Sequence, residues 1–413
     1  GYNSSVGNAQ TDFFKIDNDG NVLNEIQWDF GKVTKIMLIP IQEETLTIQN
    51  AEFVTVLPKE DYEQKSGYFN RNIICNRSNT IIKNINHTVD NEEKIGGPYF
   101  GFIRISYVAD VELDNLSLYS HKYKTASNYD LILEYCVNII MDNITSNDIE
   151  ATDRWGITGT NYTKDIIYKN CTLNRIDAHC GVYNLTIKDC VIGVKGLTLN
   201  GAGKLSILNT ARKGGNEFIN LRSDYGSTWN GDIEIYNCTF DSNKTSRLIS
   251  FSVSYDKNGE LHDYGYDRVL PNIYIDGLII NNTSNDYLLE YIFLNDESST
   301  GNAQDDLIKA GYILPSKIEV KNYSIENKKR LKAFYKDFEG SKNVSTNIAI
   351  PDKPVLNLLD SEGKEYESGN LTNKDITLNV SRVKNVTNEI SVNEQKVDNN
   401  SVLTKTGEYS IVI

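Results

Sequence analysis

The sequence predicts an all-β protein: a right-handed parallel β-helix (a solenoid) over most of its length, followed by a small β-sandwich-like module. Three observations carry this. A five-residue pattern, apolar–x–apolar–x–Asn/Asp, recurs along the chain with no helical periodicity between its copies. The composition, with 25 Tyr against 7 Pro and 2 Met and abundant Asn and Ile, suits strands separated by turns and excludes a helical bundle. The texture changes after Asn347, where short alternating stretches follow a Pro-containing linker. Right-handed winding follows from the twist preference of strand crossovers.

The N-terminal stretch to about residue 60, including IQWDFGKVTKIMLIPI, is expected to cap one open end of the solenoid, which spans roughly 50–345. The pattern ends at Asn84 (TIIKN), Asn115 (VELDN), Asn143 (IIMDN), Asn170 (IIYKN), Asp189 (LTIKD), Asn209 (LSILN), Asn237 (IEIYN), Gly277 (IYIDG) and Asn322 (IEVKN). The steps are roughly 20–30 residues, lengthening near the end, which fits neither leucine-rich repeats nor propeller blades. Turns of a solenoid stack at about 4.8 Å, so equivalent residues form columns along the axis. The column after the fifth position, Ile85, Leu116, Ile144, Cys171, Cys190, Thr210, Cys238, Leu278 and Tyr323, reads as interior. Asn84, Asn115, Asn143 and Asn170 read as a ladder of left-handed Asn bonded along the stack. The long steps carry loops at 254–271 and 294–315, and KKRLKAFYKDF (328–338) reads as the last turn or the opposite cap. Residues 346–413 form the final module.

The charge balance, 42 Lys+Arg against 56 Asp+Glu, gives a net charge of −14 and argues against a nucleic-acid partner. No run of roughly 18 apolar residues is present, so no membrane-inserting helix is expected. The polar opening GYNSSVGNAQTDFF shows no leader, which is absent, removed or outside this sequence. The six Cys include no CxxC pair and do not cluster with the four His, so no metal is assigned. Buried, unpaired thiols are expected. A Cys171–Cys190 redox pair is the alternative, and adjacent rungs suit disulfide geometry poorly.

The densest group of ionisable residues spans 154–190 and 218–232. Registering the repeats puts Asp148 and Arg175 at equivalent positions on neighbouring rungs, near hydrogen-bonding distance. It makes Trp155, Ile157, Leu197, Leu199, Ile219 and Leu221 interior, with Thr158, Asn200 and Arg222 outward and His179, Gly181 and Tyr183 continuing that column. Asp177, His179 and Asp148 are the catalytic candidates, and Arg175, Arg222 and Asp224 orient a sugar. Tyr183, Tyr225 and Trp229, with Tyr264 and Tyr266, supply flat faces for pyranose rings. Two carboxylates across a sugar suit acid/base hydrolysis. An Arg beside a His or Asp suits a lyase that neutralises a uronate while a base takes its α-proton. The plainer reading makes Arg175–Asp148 a ladder salt bridge, with Asp177 and His179 bonding backbone amides at a corner.

The solenoid resembles the right-handed parallel β-helix of the pectin-lyase-like superfamily. NRIDAHCGVYNLTI, FINLRSDYGSTWNGD and HDYGYDRVLPNIYIDGL are similar to a group of secreted or surface β-helix proteins of Firmicutes, also seen among phage tail proteins. GNLTNKDITLNV and TKTGEYSIVI resemble the Ig-like repeats of Gram-positive surface proteins, one strand short, so the natural protein is expected to continue. The first resemblance implies an extracellular or cell-surface carbohydrate-active protein acting on a polysaccharide. The superfamily includes lyases, hydrolases, epimerases, depolymerases and non-catalytic adhesins. Neither the calcium-binding Asp cluster of pectate lyases nor the paired Asp of polygalacturonases is found here, so no cofactor is assigned and calcium has no support. Cleavage of a glycan therefore stands beside a non-catalytic adhesin or phage tail receptor-binding role. A tail spike would imply a trimer, and no trimerisation segment is visible.

Overall fold

The computed structural model describes residues 11–56, 73–91, 101–119, 129–156, 158–242, 247–253, 262, 264–282, 290–295, 311–326, 330–334, 339–349, 356–366, 375–380, 390–404 and 409–412. The strands that build the solenoid are β1 (Leu46–Val56), β2 (Ile73–Cys75), β3 (Thr80–Asp90), β4 (Ile103–Leu118), β5 (Leu131–Ser146), β6 (Thr158–Asn161), β7 (Thr163–Lys169), β8 (Thr172–Lys188), β9 (Val191–Leu208), β10 (Ala211–Arg212), β11 (Ile219–Leu221), β12 (Trp229–Ser242) and β13 (Arg247–Phe251). They continue, after the short β14 (Arg268–Val269), as β15 (Asn272–Asn282) and β16 (Tyr291–Asn295). Past β17 (Tyr312–Ile313) come β18 (Lys317–Lys321), β19 (Ser324–Ile325), β20 (Lys332–Phe334) and β21 (Ser345–Ile348). β21 stacks on β18 and carries the solenoid sheet to Ile348, slightly past the expected boundary. The register is parallel from rung to rung, from β1 on β3 through β4, β5, β7, β8, β9, β12, β15 and β18. A parallel sheet whose successive strands stack in this order is a solenoid.

The sequence pattern places its residues as expected. Ile85, Leu116, Ile144, Cys171, Cys190, Thr210, Cys238, Leu278 and Tyr323 are all buried, and the six cysteines are free. Every fifth-position Asn or Asp from Asn84 to Asn237, and Asn322, has positive φ, with Gly277 taking the same conformation at φ 81°. At this corner the amides bond along the axis: Asn84 Nδ2 donates to Asn50 Oδ1 (3.0 Å), Asn115 to Asn84 (2.9 Å) and Asn143 to Asn115 (3.0 Å). Asn170 departs from the ladder and donates to Asp142 Oδ1 at 2.8 Å. A left-handed corner costs an ordinary L-residue about 1–2 kcal/mol, and Asn relieves this with its local side-chain bond.

Two further corners run parallel to the first. Tyr107, Tyr135 and Tyr162 all have positive φ and stack face to face, with centroids 4.8 Å and 5.0 Å apart. Three residues after each of these Tyr come Asp110, Asn138 and Asp165, with Asn184 on the next rung. Asn138 Nδ2 donates to Asp110 and Asn184 Nδ2 to Asp165 Oδ1 at 2.9 Å, giving two steps of a second polar ladder. The N-terminal segment lies along this ladder: Lys15 Nζ pairs with Asp110 Oδ2 (2.7 Å), Asn24 Nδ2 donates to Asp165 Oδ2 (2.7 Å) and the Tyr183 hydroxyl donates to Glu25 Oε2 (2.5 Å). Lys164, almost wholly buried, pairs with the equally buried Asp12 at 2.7 Å. This part of the expected cap is thus a strap on the flank of the solenoid, while residues 31–40 that follow it are exposed.

After the solenoid, antiparallel strands form a four-stranded and a three-stranded sheet, with Leu378, Val380, Ile390 and Val392 buried together. The expected loop stretches at 254–261 and 296–310, and Ile157, lie outside the described residues.

Candidate functional site

One outward column lies between the Tyr corner and the preceding turn. Gly159, Asp177, Thr198, Asn220 and Ser250 are paired in register across β6, β8, β9, β11 and β13. Two residues further along come His179 and Asn200, at a shift in the β8–β9 register after Ala178, and Arg222, just past β11, whose carbonyl accepts from Asn200 Nδ2 at 3.4 Å. Thr158 does not belong with them. It pairs with Ile176 and is wholly buried, so it lies in the interior column with Leu197 and Ile219. The misplacement has a simple cause. β5 ends at Ser146, and no named strand runs through the described residues 147–156 before β6 resumes the rung at Thr158.

That interruption also separates Asp148 from Arg175. Asp148 is exposed in a turn, where its Oδ1 accepts the Glu150 N–H at 3.2 Å. Arg175 instead pairs with Asp177 through Nη2 (2.6 Å), donates from Nε to Thr198 Oγ1 (3.1 Å) and lies over the Trp155 ring at 4.9 Å. Trp155, expected inside, is half-buried beneath that guanidinium.

Asp177 is the centre of the cluster. Arg222 Nη1 donates to both of its oxygens (3.0 and 2.7 Å), Arg175 pairs with Oδ2, and the Tyr129 hydroxyl donates to the same oxygen. Tyr129 reaches it by lying over Gly159, where an added Cβ would sit 2.3 Å from its ring. The Asp177 side chain is 0% exposed, so this outward residue is sealed by its partners. Burial, then the Asp177 charge, pushes the Tyr129 phenol up, keeping it a neutral donor.

Arg222 links this core to the surface. Its Nε and Nη2 donate to Asp224 at 2.9 and 2.5 Å in a two-pronged pair. Burial opposes the Arg222 charge, but Asp224 and Asp177 outweigh it and hold the guanidinium protonated. Asp224 sits in a single 3-10 turn, Ser223–Tyr225, closed by Gly226 with φ 78°. Tyr264 and Tyr266 brace that turn by donating to the carbonyls of Ser223 (2.9 Å) and Tyr225 (2.7 Å), and so act here as supports. His179 Nε2 lies 3.7 Å from Asp224 Oδ2, with side chains 35% and 36% exposed. Burial, reinforced by the Arg222 charge, pulls His179 below the ordinary histidine range. It is therefore a neutral imidazole at pH 7, able to accept a proton.

Tyr225 meets the His179 ring edge-on at 5.5 Å, and its hydroxyl lies 3.0 Å from Cys180 Sγ. The two other aromatic candidates are elsewhere. Trp229 is wholly buried in the solenoid core, donating from Nε1 to the Gly203 carbonyl, and cannot be a sugar platform. Tyr183 lies past the Tyr corner, bound to Glu25 of the strap. Tyr129 and Cys180 were not singled out by the sequence. No group of three or more His, Cys, Asp or Glu able to hold a metal occurs among the described residues.

No family model matches the chain. Among curated proteins, the capsule KL64-specific depolymerase of Klebsiella phage P510 is 29% identical over 126 residues, which is 27% of this chain and 12% of that protein. Among solved structures, the tailspike protein gp49 from Pseudomonas phage LKA1 is 11% identical with a TM-score of 0.44, covering 77% of this chain and 55% of that one. The A-module of the Azotobacter vinelandii mannuronan C-5 epimerase AlgE6 is 12% identical with a TM-score of 0.30, covering 75% and 84%.

Proposed function

We propose that this chain is a carbohydrate-active surface protein that binds an extended polysaccharide across the Asp177 face and cleaves it there, outside the cell. The observation that carries this is the division within one cluster. Asp177 is sealed and fully paired, while His179 and Asp224, joined to it through Arg222, are the ionisable pair that meets solvent. In this reading Asp177 positions the two guanidiniums, and His179, with the Asp224 charge beside it, takes a proton from the water that attacks the anomeric carbon. The bond from that carbon to the bridging oxygen breaks, and the departing oxygen takes up a proton from solvent, so that none is gained or lost overall. Asp224 replaces Asp148 as the second carboxylate. Both guanidiniums are already engaged by carboxylates, which favours hydrolysis over a lyase step needing a spare cation for a uronate. The chain spans only 12% of the length of the phage depolymerase it matches, and a bacterial capsule is accordingly the first substrate to try. Right-handed winding and an Ig-like identity for the C-terminal strands belong to the same reading.

A second reading, a non-catalytic adhesin or phage tail receptor-binding module, is favoured by the saturation of Asp177, which resembles scaffold more than a working acid. The deciding experiment incubates wild type and His179→Ala with capsular polysaccharides, KL64 among them, and measures new reducing ends and unsaturated products. Reducing ends without unsaturated products, from wild type and not from His179→Ala, support hydrolysis. Binding without any product from either protein selects the adhesin reading.

A further inference from the structure

We infer that the groove between the N-terminal strap and the adjoining solenoid face is a second, non-catalytic site for neutral hexose units of a glycan. The groove has a volume of about 410 Å³ and is lined by Glu25, Asn184, Thr186, Gly203, Lys204 and Ser206, within the size range of small-ligand sites. It lies beyond two corners of the same strand that carries His179, so it belongs to a neighbouring face.

Its chemistry is that of a hydroxyl-rich ligand. Thr186 and Ser206 are register partners on adjacent rungs, placing two hydroxyls side by side on the floor. The Lys204 ammonium is steadied by Glu234 Oε1 at 2.7 Å, and Ser206 Oγ lies 3.5 Å from the other oxygen of Glu234. On the opposite wall the Glu25 carboxylate is held by the Tyr183 hydroxyl at 2.5 Å. Lys204 has an ionic partner in Glu234 and Glu25 a hydrogen-bond partner in Tyr183, so the groove offers directed donors and acceptors held in place. Gly203, with φ 77°, keeps the floor open, because a Cβ there would lie 2.3 Å from Asn184 Oδ1. The wall is set in advance by the Lys164–Asp12 and Asn24–Asp165 contacts of the strap, which lowers the ordering cost of binding. The polymer would then be held on one face while the other works on it, raising the local concentration of chain at the reacting pair.

The class of ligand rests on the glycan reading above, and the test separates the two. Saturation-transfer NMR is recorded with millimolar cellotriose, maltotriose and laminaritriose on wild type, His179→Ala and the double variant Glu25→Gln/Lys204→Met. Transfer to at least one trisaccharide is expected in wild type and in His179→Ala. It should fall at least about fivefold in the double variant, the equivalent of losing one net hydrogen bond. No transfer from any of the three sugars, undiminished transfer in the double variant, or its loss in His179→Ala overturns the inference. Polysaccharide cleavage that survives His179→Ala would sink the proposed mechanism while leaving this site standing.

Discussion

Replacing Asp177 with Asn should weaken the fold around β8 as well as any turnover. The carboxylate accepts from Arg222 Nη1 on both oxygens, from Arg175 at 2.6 Å and from Tyr129, and it is wholly buried. Asn keeps one acceptor oxygen and turns an N–H toward a guanidinium. Removing one partner of a buried ion pair costs about 3–5 kcal/mol. The lower end applies here, because both guanidiniums are slightly exposed and Arg222 retains Asp224, so about 3 kcal/mol is expected. His179→Ala removes a side chain one-third exposed and should change stability by no more than about 0.5 kcal/mol. Urea unfolding gives the difference, and hydrogen exchange across residues 172–188 locates it, because a loss centred on Asp177 loosens β8 first. An Asp177→Asn protein with wild-type unfolding and exchange would refute the claim that this carboxylate organises the cluster.

Asn115→Ala should cost about 2–3 kcal/mol, since it loses its bond to Asn84 and forces Ala into a left-handed corner, whereas Asn115→Gly should cost less in the same urea melts. Cys136 and Cys238, whose thiols burial pushes up to about 12 and about 11, should resist iodoacetamide in the native state and react fully on denaturation. If His179 is the base, activity should hold at neutral pH and fall only below the ordinary histidine range, because burial favours its neutral form. The linked stability runs the same way: the unfolded chain takes up this proton at higher pH than the folded one, so stability is complete above the unfolded value and declines on acidification. Lys164→Met strands the buried Asp12 carboxylate and should make residues 11–27 newly sensitive to limited proteolysis.

The interior columns were legible because an apolar residue returns once per rung, as with Ile85, Leu116 and Ile144, and such repetition survives without knowledge of the loops. Asp148 was misregistered because the strand ends at Ser146 and residues 147–156 leave the rung, and counting from Asn143 cannot detect such an insertion. Trp229 was read as a sugar platform from residue type alone, although its strand faces it inward. Tyr129 was beyond reach: it touches Asp177 across 48 residues of sequence, through a vacancy at Gly159 that acquires meaning only once the rungs are stacked.

A solenoid held only by nearest-neighbour contacts can fray from either end, one rung at a time. The strap changes this for a block of rungs inside the stack, with β1 and β3 beyond it on one side and β9 onward on the other. By tying Asp110 on β4, Asp165 and Lys164 on β7, and Tyr183 on β8 to a single stretch of chain, it makes those rungs open together or not at all. Unzipping under heat or a pulling force should therefore run inward from both ends and halt at the strapped block, which survives as the last folded remnant.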